Sequence, residues 1–295
     1  MHVFAVTPWR ARRDEFPPIQ NERMDSPLSE WGPERAFELL EAVERLARAA
    51  AGVILEVYAG DFQVHGKADQ TPVTLADERA EALITPALQA LRPAWPVVAE
   101  EAASRGLAPA AARSFWLVDP LDGTREFVAR NGEFTVNIAL VHEGAPVLGV
   151  VLLPVSGRMF SGVVGQGAWE QVTGPQAVRR PLRVRAVPAA GLCVAGSRSH
   201  GDEEALQGFL RRQMQGRPVA SRITAGSSLK FGLLAAGEAD VYPRFGRTME
   251  WDTAAGHAVL AAAGGSVCTL DGQPLRYGKP GYENPHFVAW GAARA

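Results

Sequence analysis

Trp116-Leu117-Val118-Asp119-Pro120-Leu121-Asp122-Gly123-Thr124 carries an apolar run into an acid, a proline, a second acid and a Gly-Thr pair. A helix-compatible stretch, residues 125–129, follows. The apolar run reads as a buried strand. Carboxylates at its end, Asp119 and Asp122, would repel one another and lose solvation unless cations accompany them. Pro120 suits a fixed turn between them, which lets the Leu121 carbonyl face a metal. Ligation by carboxylate and carbonyl oxygens alone is what hard Mg²⁺ prefers. Gly123 and Thr124, at the start of the next helix, present backbone N–H groups that can hold a phosphate oxygen. For any one of these acids a polar turn closing a strand is the plain alternative; the whole string favours a metal and phosphate site.

Upstream, Glu100-Glu101 ends a second apolar stretch, residues 96–99. Asp77 follows Thr74 by three residues, which is the spacing of a helix capping box and by itself a sufficient reason for both. Downstream, Glu250-Trp251-Asp252-Thr-Ala-Ala-Gly256 opens an Ala-rich stretch. There Asp252 serves either as a helix N-cap or as an acid projecting into a cleft.

Around these strings the pattern is regular. Phe37, Leu40, Val43, Ala47, Ala50, Ile54 and Val57 recur at steps of three and four, a helix entered at Pro33 and stopped at Gly60. A second helix is expected from Thr74 to about Leu91, with a bend at Pro86. Residues 115–118, 135–141, 147–155 and 159–164 read as strands of an antiparallel meander. From about Val187 helix-like and strand-like stretches alternate, including a helix over 229–236, a strand over 240–243 and a helix over 253–263. The division expected is a disordered extension at 1–32, an N-terminal α+β unit at 33–187 and a smaller C-terminal α/β unit at 188–295. The extension is Pro-rich and without period, and Met24 reads as a candidate initiator.

Composition narrows the function. The chain is 47% hydrophobic and 21% charged with a net charge of −2, which argues against a protein that coats nucleic acid. A phosphorylated ligand must then be met by local cations, metals or helix ends. Cys193 and Cys268 cannot build a disulfide framework or a cysteine-rich zinc site, and a reducing, cytoplasmic setting is expected. No transmembrane segment is expected either, because the longest apolar run, 147–155, is too short to span a bilayer. Of the 30 basic residues only Lys67, Lys230 and Lys279 are lysine, so each departs from the chain's habit of using Arg. An ammonium is a point charge and a guanidinium a planar fork, and one does not freely replace the other.

Taken in order, the Glu-Glu pair, Asp-Pro-Leu-Asp-Gly-Thr and Trp-Asp-Thr-Ala-Ala-Gly resemble the inositol monophosphatase-like superfamily. The resemblance spans nearly everything from Phe37 to the C-terminus. Within it, residues 67–77, 119–137, Ser197-Arg-Ser-His200, Gly226-Ser-Ser-Leu-Lys230 and Tyr242-Pro-Arg-Phe-Gly246 are most similar to the bacterial 3'(2'),5'-bisphosphate nucleotidases. The resemblance implies an α/β (α+β) fold of the sugar-phosphatase kind, an αβαβα sandwich. It implies that Glu100, Asp119, the Leu121 carbonyl, Asp122 and Asp252 ligate two or three Mg²⁺, with Asp77 serving a further metal or its water. Gly123 and Thr124 would contact the scissile phosphate, and Ser228, Lys230, Arg244 and Asp252, with Leu121 and Asp122, would meet the substrate. Lys230 in particular is expected at a substrate phosphate.

The implied reaction is direct hydrolysis of the 3'-phosphate of 3'-phosphoadenosine 5'-phosphate, with inhibition by Li⁺. Metal-activated water attacks, oriented by Glu100 through Thr124, while a second Mg²⁺ neutralises the leaving oxygen. His200 and His257 are expected to bind or pack rather than act as nucleophiles. Ala99, Arg125 and Arg247 depart from the usual Ser or Gly, Lys and Pro, and none removes a ligand. The rival substrates are inositol 1-phosphate and fructose 1,6-bisphosphate, which share every metal ligand. A non-catalytic nucleotide sensor is the rival of another class, and such a protein usually loses a ligand acid.

Overall fold

The computed structural model describes residues 32–61, 64–66, 72–172, 178–197, 203–213 and 218–291. The expected extension as far as residue 31, with Met24, residues 67–71 with Lys67, and residues 198–200 with His200 lie outside the described residues, and Gly32 belongs to the first helix.

α1 (Gly32–Ala59) buries Leu40, Val43, Ala47, Ala50, Ile54 and Val57, the face selected by the three- and four-residue spacing. The ribbon β1 (Val64–Gly66) and β2 (Pro72–Thr74) leads into α2 (Leu75–Leu91), which has Thr74 as its N-cap and Pro86 inside it. Both helices pack on one face of a seven-stranded sheet. That sheet runs in chain order through β3 (Val97–Ala99), β4 (Ser114–Asp122), β5 (Thr135–His142), β6 (Ala145–Leu152), β7 (Arg158–Val163), β8 (Gly167–Val172) and β9 (Arg179–Leu182). The β3–β4 pair is parallel and the others are antiparallel. Two short helices interrupt the order: α3 (Glu100–Ser104) after β3, and α4 (Thr124–Val128) after β4.

Alternation along the strands fills both faces of this sheet. Trp116 and Val118 join the core under α1 and α2, whereas Phe115 and Leu117 join the core on the other side. That second core is shared with the rest of the chain, since it also holds Phe231, Ala254, Val259 and Phe287.

The remaining elements are β10 (Leu192–Ser197), α5 (Glu203–Gln213), β11 (Val219–Ala225), α6 (Leu229–Ala235), β12 (Val241–Arg244), α7 (Glu250–Ala262), β13 (Ser266–Thr269) and β14 (Phe287–Trp290). Their strands form a five-stranded mixed sheet in the order β11-β10-β12-β14-β13. α6 and α7 lie between the two sheets, and α5 packs Phe209 and Leu210 on the far face against Val194, Val241 and Val288. The layers are therefore αβαβα, the α+β sandwich expected. Small residues let α7 enter between its neighbours. A Cβ on Gly149 would stand 2.3 Å from the Ala255 carbonyl oxygen, and one on Gly256 2.4 Å from the Phe231 ring.

Two local expectations are corrected. β4 does not end in a turn at Asp119 but continues through Pro120 to Asp122. Its pairing shifts there, Asp119 opposite Asn137 and Asp122 opposite Thr135, so one extra residue bulges out. A proline, having no N–H for the ladder, is tolerated at such a bulge. α7 begins at Glu250 rather than at Thr253, because Asp252 reaches back to the Met249 N–H at 2.8 Å and closes the first turn. Asp252 thus sits inside that turn and is not the N-cap. Among the described residues no helix is long and apolar enough to cross a membrane.

Candidate active site

The bulge at the end of β4 and the first turn of α7 meet at a cavity of about 710 Å³. Glu100, Asp119, Leu121, Asp122, Gly123, Thr124, Ser228, Lys230, Arg244 and Asp252 all line it. These residues come from elements far apart in sequence, and the fold brings together every predicted site residue except Asp77. Asp77 stands one layer behind, where it accepts a hydrogen bond from Thr124 Oγ1 at 3.2 Å. Its other oxygen accepts from Thr74 N at 2.8 Å and Thr74 Oγ1 at 2.7 Å. The capping box and the link to the site are therefore both real, and one carboxylate serves both.

The acids feel one another. Burial pushes the Asp119 carboxyl well above its ordinary range, and the charges of Glu100, Asp122 and Asp252 push it further. Burial, then Asp122 and Glu100, do the same to Asp252, against the opposing Met249 N–H. Asp122 is also raised, chiefly by burial, but the Lys230 ammonium and Ser228 pull it back. Like charges in a low-dielectric cavity repel, and a divalent cation removes that cost. Among the described residues no three such side chains are yet gathered closely enough to hold an ion as they stand. The acids do line one cavity, and their charges raise one another's carboxyls.

Local bonds hold the acids in place. Asp119 Oδ1 accepts from Leu121 N at 3.0 Å across the bulge. Asp122 Oδ2 lies 3.4 Å from both Thr135 Oγ1 and Asn137 Nδ2 on β5. Asn137 Nδ2 also donates to Ser228 Oγ at 2.9 Å, and Ser228 Oγ donates to the Asp252 carbonyl at 2.5 Å. Asn137 was missed as a site residue; a lone amide in the buried run Thr135-Val-Asn-Ile-Ala-Leu-Val was the available signal. Gly123 has φ 92°, in the left-handed region, and a Cβ there would stand 3.3 Å from Ser227 Cβ.

Cations line the same cavity. Arg125, Arg244 and Arg247 line the cavity with Lys230. Lys230 is buried, and its Nζ donates to Ala225 O at 3.0 Å and Ser227 O at 2.5 Å while lying 5.1 Å from the Tyr242 ring. Burial lowers its ammonium to about 8, against the pull of Asp122. Arg244 donates to Arg247 O at 3.1 Å, yet its Nε and the Ser227 hydroxyl are buried without a hydrogen-bond partner among the described residues. Tyr282 and Trp251 add aromatic surface, with ring centroids 6.1 Å apart. Neither Tyr282 nor Ser227 stood out in the sequence.

His257 is buried away from this chemistry. Its Nδ1 lies 3.0 Å from Tyr277 Oη, which in turn donates to Thr253 Oγ1 at 3.3 Å. With the tyrosine proton used there, the imidazole donates from Nδ1. It packs, as expected.

Comparison with known proteins agrees with this geometry. Residues 36–293 match the model of the inositol monophosphatase family. The 3'(2'),5'-bisphosphate nucleotidase CysQ of Escherichia coli (strain K12) is 46% identical over 252 residues, covering 84% of this chain and 98% of that protein. The protein of the same name from Buchnera aphidicola is 38% identical over 242 residues, covering 81% and 88%. Among solved structures, CysQ from Bacteroides thetaiotaomicron superposes with a TM-score of 0.72 at 37% identity, covering 88% of this chain and 98% of that one. An inositol monophosphatase from Zymomonas mobilis gives 0.69 at 26% identity, covering 86% and 92%. With its αβαβα layers, its ordered acid motifs and this extent of match, the chain belongs to the inositol monophosphatase family.

Proposed function

We propose that this protein is a Mg²⁺-dependent phosphomonoesterase that removes the 3'-phosphate from 3'-phosphoadenosine 5'-phosphate. The observation that carries the reading is one cavity lined by both a set of acids and a set of cations. Glu100, Asp119, Asp122 and Asp252 line it together with Arg125, Arg244, Arg247 and Lys230. The acids suit the metals and the phosphate to be cleaved, and the cations suit a second phosphate on the same substrate. Relatives named as bisphosphate nucleotidases at up to 46% identity support the substrate.

The donors fit hard divalent ions, since the acids and the Leu121 carbonyl offer oxygen alone. Glu100, Asp119, the Leu121 carbonyl, Asp122 and Asp252 would hold Mg²⁺. When bound, Mg²⁺ acidifies water and neutralises charge on the phosphoryl and leaving oxygens. The protein's own part is positional. Thr124 gives its single hydroxyl proton to Asp77, so toward a water its oxygen can only accept. Thr124 and Glu100 then draw on the two protons of one attacking water and aim its lone pair at phosphorus. Gly123 and Thr124 backbone N–H groups contact the phosphoryl oxygens. No Cys or His lines the cavity among the described residues, in keeping with direct attack by water.

The test is phosphate release from 3'-phosphoadenosine 5'-phosphate, inositol 1-phosphate and fructose 1,6-bisphosphate, each with Mg²⁺ and with chelator. The nucleotide is expected to show at least about tenfold higher kcat/KM, a difference of about 1.4 kcal/mol in transition-state binding. A preference for either other ester overturns the substrate, and turnover in excess chelator overturns the metal.

A further inference from the structure

Asp77 and Glu81 stand four residues apart on α2 and so share one face of the helix. Asp77 holds Thr124. One turn further on, Glu81 holds the start of α3, its Oε2 accepting from Glu101 N at 2.7 Å and its Oε1 from Ala102 N at 2.8 Å. α3 begins at Glu100, directly after Ala99, whose methyl cannot cap a helix. A helix of only five residues does not sustain itself, and outside contacts must fix it. At its other end Arg105 reaches back to Glu81 and Glu78, each at 3.7 Å. Glu81 is 6% exposed, and burial raises its carboxyl while the two backbone N–H groups oppose the rise. A buried acid spent on two amides of a neighbouring element is an expensive way to hold a surface loop. It makes sense where the orientation of Glu100 matters.

We propose that Glu81 is a positioning residue for the reaction: the Asp77–Glu81 face of α2 sets Thr124 and Glu100 in mutual register, so that one helix fixes both groups that hold the attacking water. This rests on the roles given above to Glu100 and Thr124. Glu81 itself touches neither substrate nor water. Its contribution is the angle at which Glu100 leaves the helix, and small misplacements of such groups are costly in rate.

Two variants of the full chain test it. Glu81→Gln keeps the shape but turns one acceptor into an NH₂ that faces a backbone N–H. Glu81→Asp keeps the charge but withdraws it by one methylene. In metal-free protein, amide hydrogen exchange over residues 100–105 is expected to accelerate by about tenfold in both, with the sheet unaffected. With Mg²⁺, kcat for 3'-phosphoadenosine 5'-phosphate is expected to fall roughly 10- to 100-fold while KM stays within about twofold. Unchanged exchange at 100–105, acceleration spread over the whole chain, wild-type kcat in either variant, or a KM effect as large as the kcat effect each overturns the proposal. If the wild type spares the nucleotide but cleaves another phosphate ester, the substrate reading falls. The kcat comparison is then made on that ester, and the exchange measurement stands without any turnover.

Discussion

Gly149 tests whether the packing of α7 sets the site. It lies in β6, and a Cβ there would stand 2.3 Å from the Ala255 carbonyl oxygen and 2.9 Å from Ala258 Cβ. A comfortable carbon–oxygen contact is about 3.3 Å. The first obstacle is backbone on an element packed from both sides, so Gly149→Ala must part β6 from α7 by roughly 1 Å. Asp252 sits three residues before Ala255 on the same rigid helix and moves with it, whereas Asp119 and Asp122 stay with the sheet. The substitution thus withdraws one acid from the others by about 1 Å and alters no site side chain. A misplacement of that size costs about 100-fold in rate, and overpacking costs about 1–3 kcal/mol in stability. For a protein of this size each kcal/mol lowers Tm by about 2–4 °C. Thermal melting, Mg²⁺ activation curves and steady-state kinetics on purified protein provide the check. The expected variant is folded, melts roughly 2–12 °C lower, needs more Mg²⁺ and turns over about 100-fold more slowly. A Gly149→Ala protein with wild-type kcat and Mg²⁺ requirement refutes the reasoning, whatever its Tm.

Asp119→Asn is expected to abolish turnover in Mg²⁺, below about one-tenth of wild type, while the metal-free protein folds at least as stably, since one buried like charge is gone. Activity above that level contradicts the ligand role, and so does a wild-type rise of Tm on adding Mg²⁺ to the variant. Lys230→Ala orphans the Ala225 and Ser227 carbonyls and removes the cation beside Asp122, so KM for the bisphosphorylated nucleotide should rise by about tenfold or more. An unchanged KM removes Lys230 from substrate binding. Burial, aided by the charge of Arg276, lowers the His257 imidazole from 6.5 to about 3, so the unfolded chain takes up its proton first as pH falls. The stability this neutral histidine allows is present above 6.5 and is lost between 6.5 and about 3. Unfolding by urea at about pH 7.5 and about pH 5.5 should show the wild type losing about 1.4 kcal/mol more than His257→Gln, and parallel losses would sink the assignment.

Much of the fold was legible because long amphipathic segments announce themselves. The face of α1 follows from its apolar spacing, and the strands β4 to β7 follow from runs bounded by Gly, Pro or Ser. β8, β9 and β11 gave weaker signals. β9 is four residues long and largely uncovered, and the middle of β11 faces solvent, so neither needs a continuous apolar face. The bulge at Pro120 was read as a turn because sequence shows that proline cannot donate, not that the strand beyond it resumes pairing one residue out of register. The start of α7 moved to Glu250 because Asp252 caps from inside the first turn, a choice that depends on where the chain before it arrives.

The site divides in the same way. Asp119, Asp122, Gly123 and Thr124 are neighbours in sequence, and their joint chemistry can be read from the string alone. Glu81, Asn137 and Ser227 act through partners at distances of 20, 91 and 104 residues or through the shape of a loop, and local pattern marks them weakly at most. Glu81 did leave one trace, its four-residue spacing from Asp77, but that spacing also suits an exposed helix face. What separates the two is burial, and burial is settled only when α3 docks. The same physics explains why the acids were legible and their supports were not. A cavity carboxylate is chemically itself whatever surrounds it, whereas a support is defined by what it touches. Asp77 belongs to both kinds: the capping box fixes its place in the sequence, and Thr124, which arrives 47 residues later, gives it a second task without changing its first. A helix that already needs an acid at its first turn can also hold the Thr124 hydroxyl at no further burial of charge.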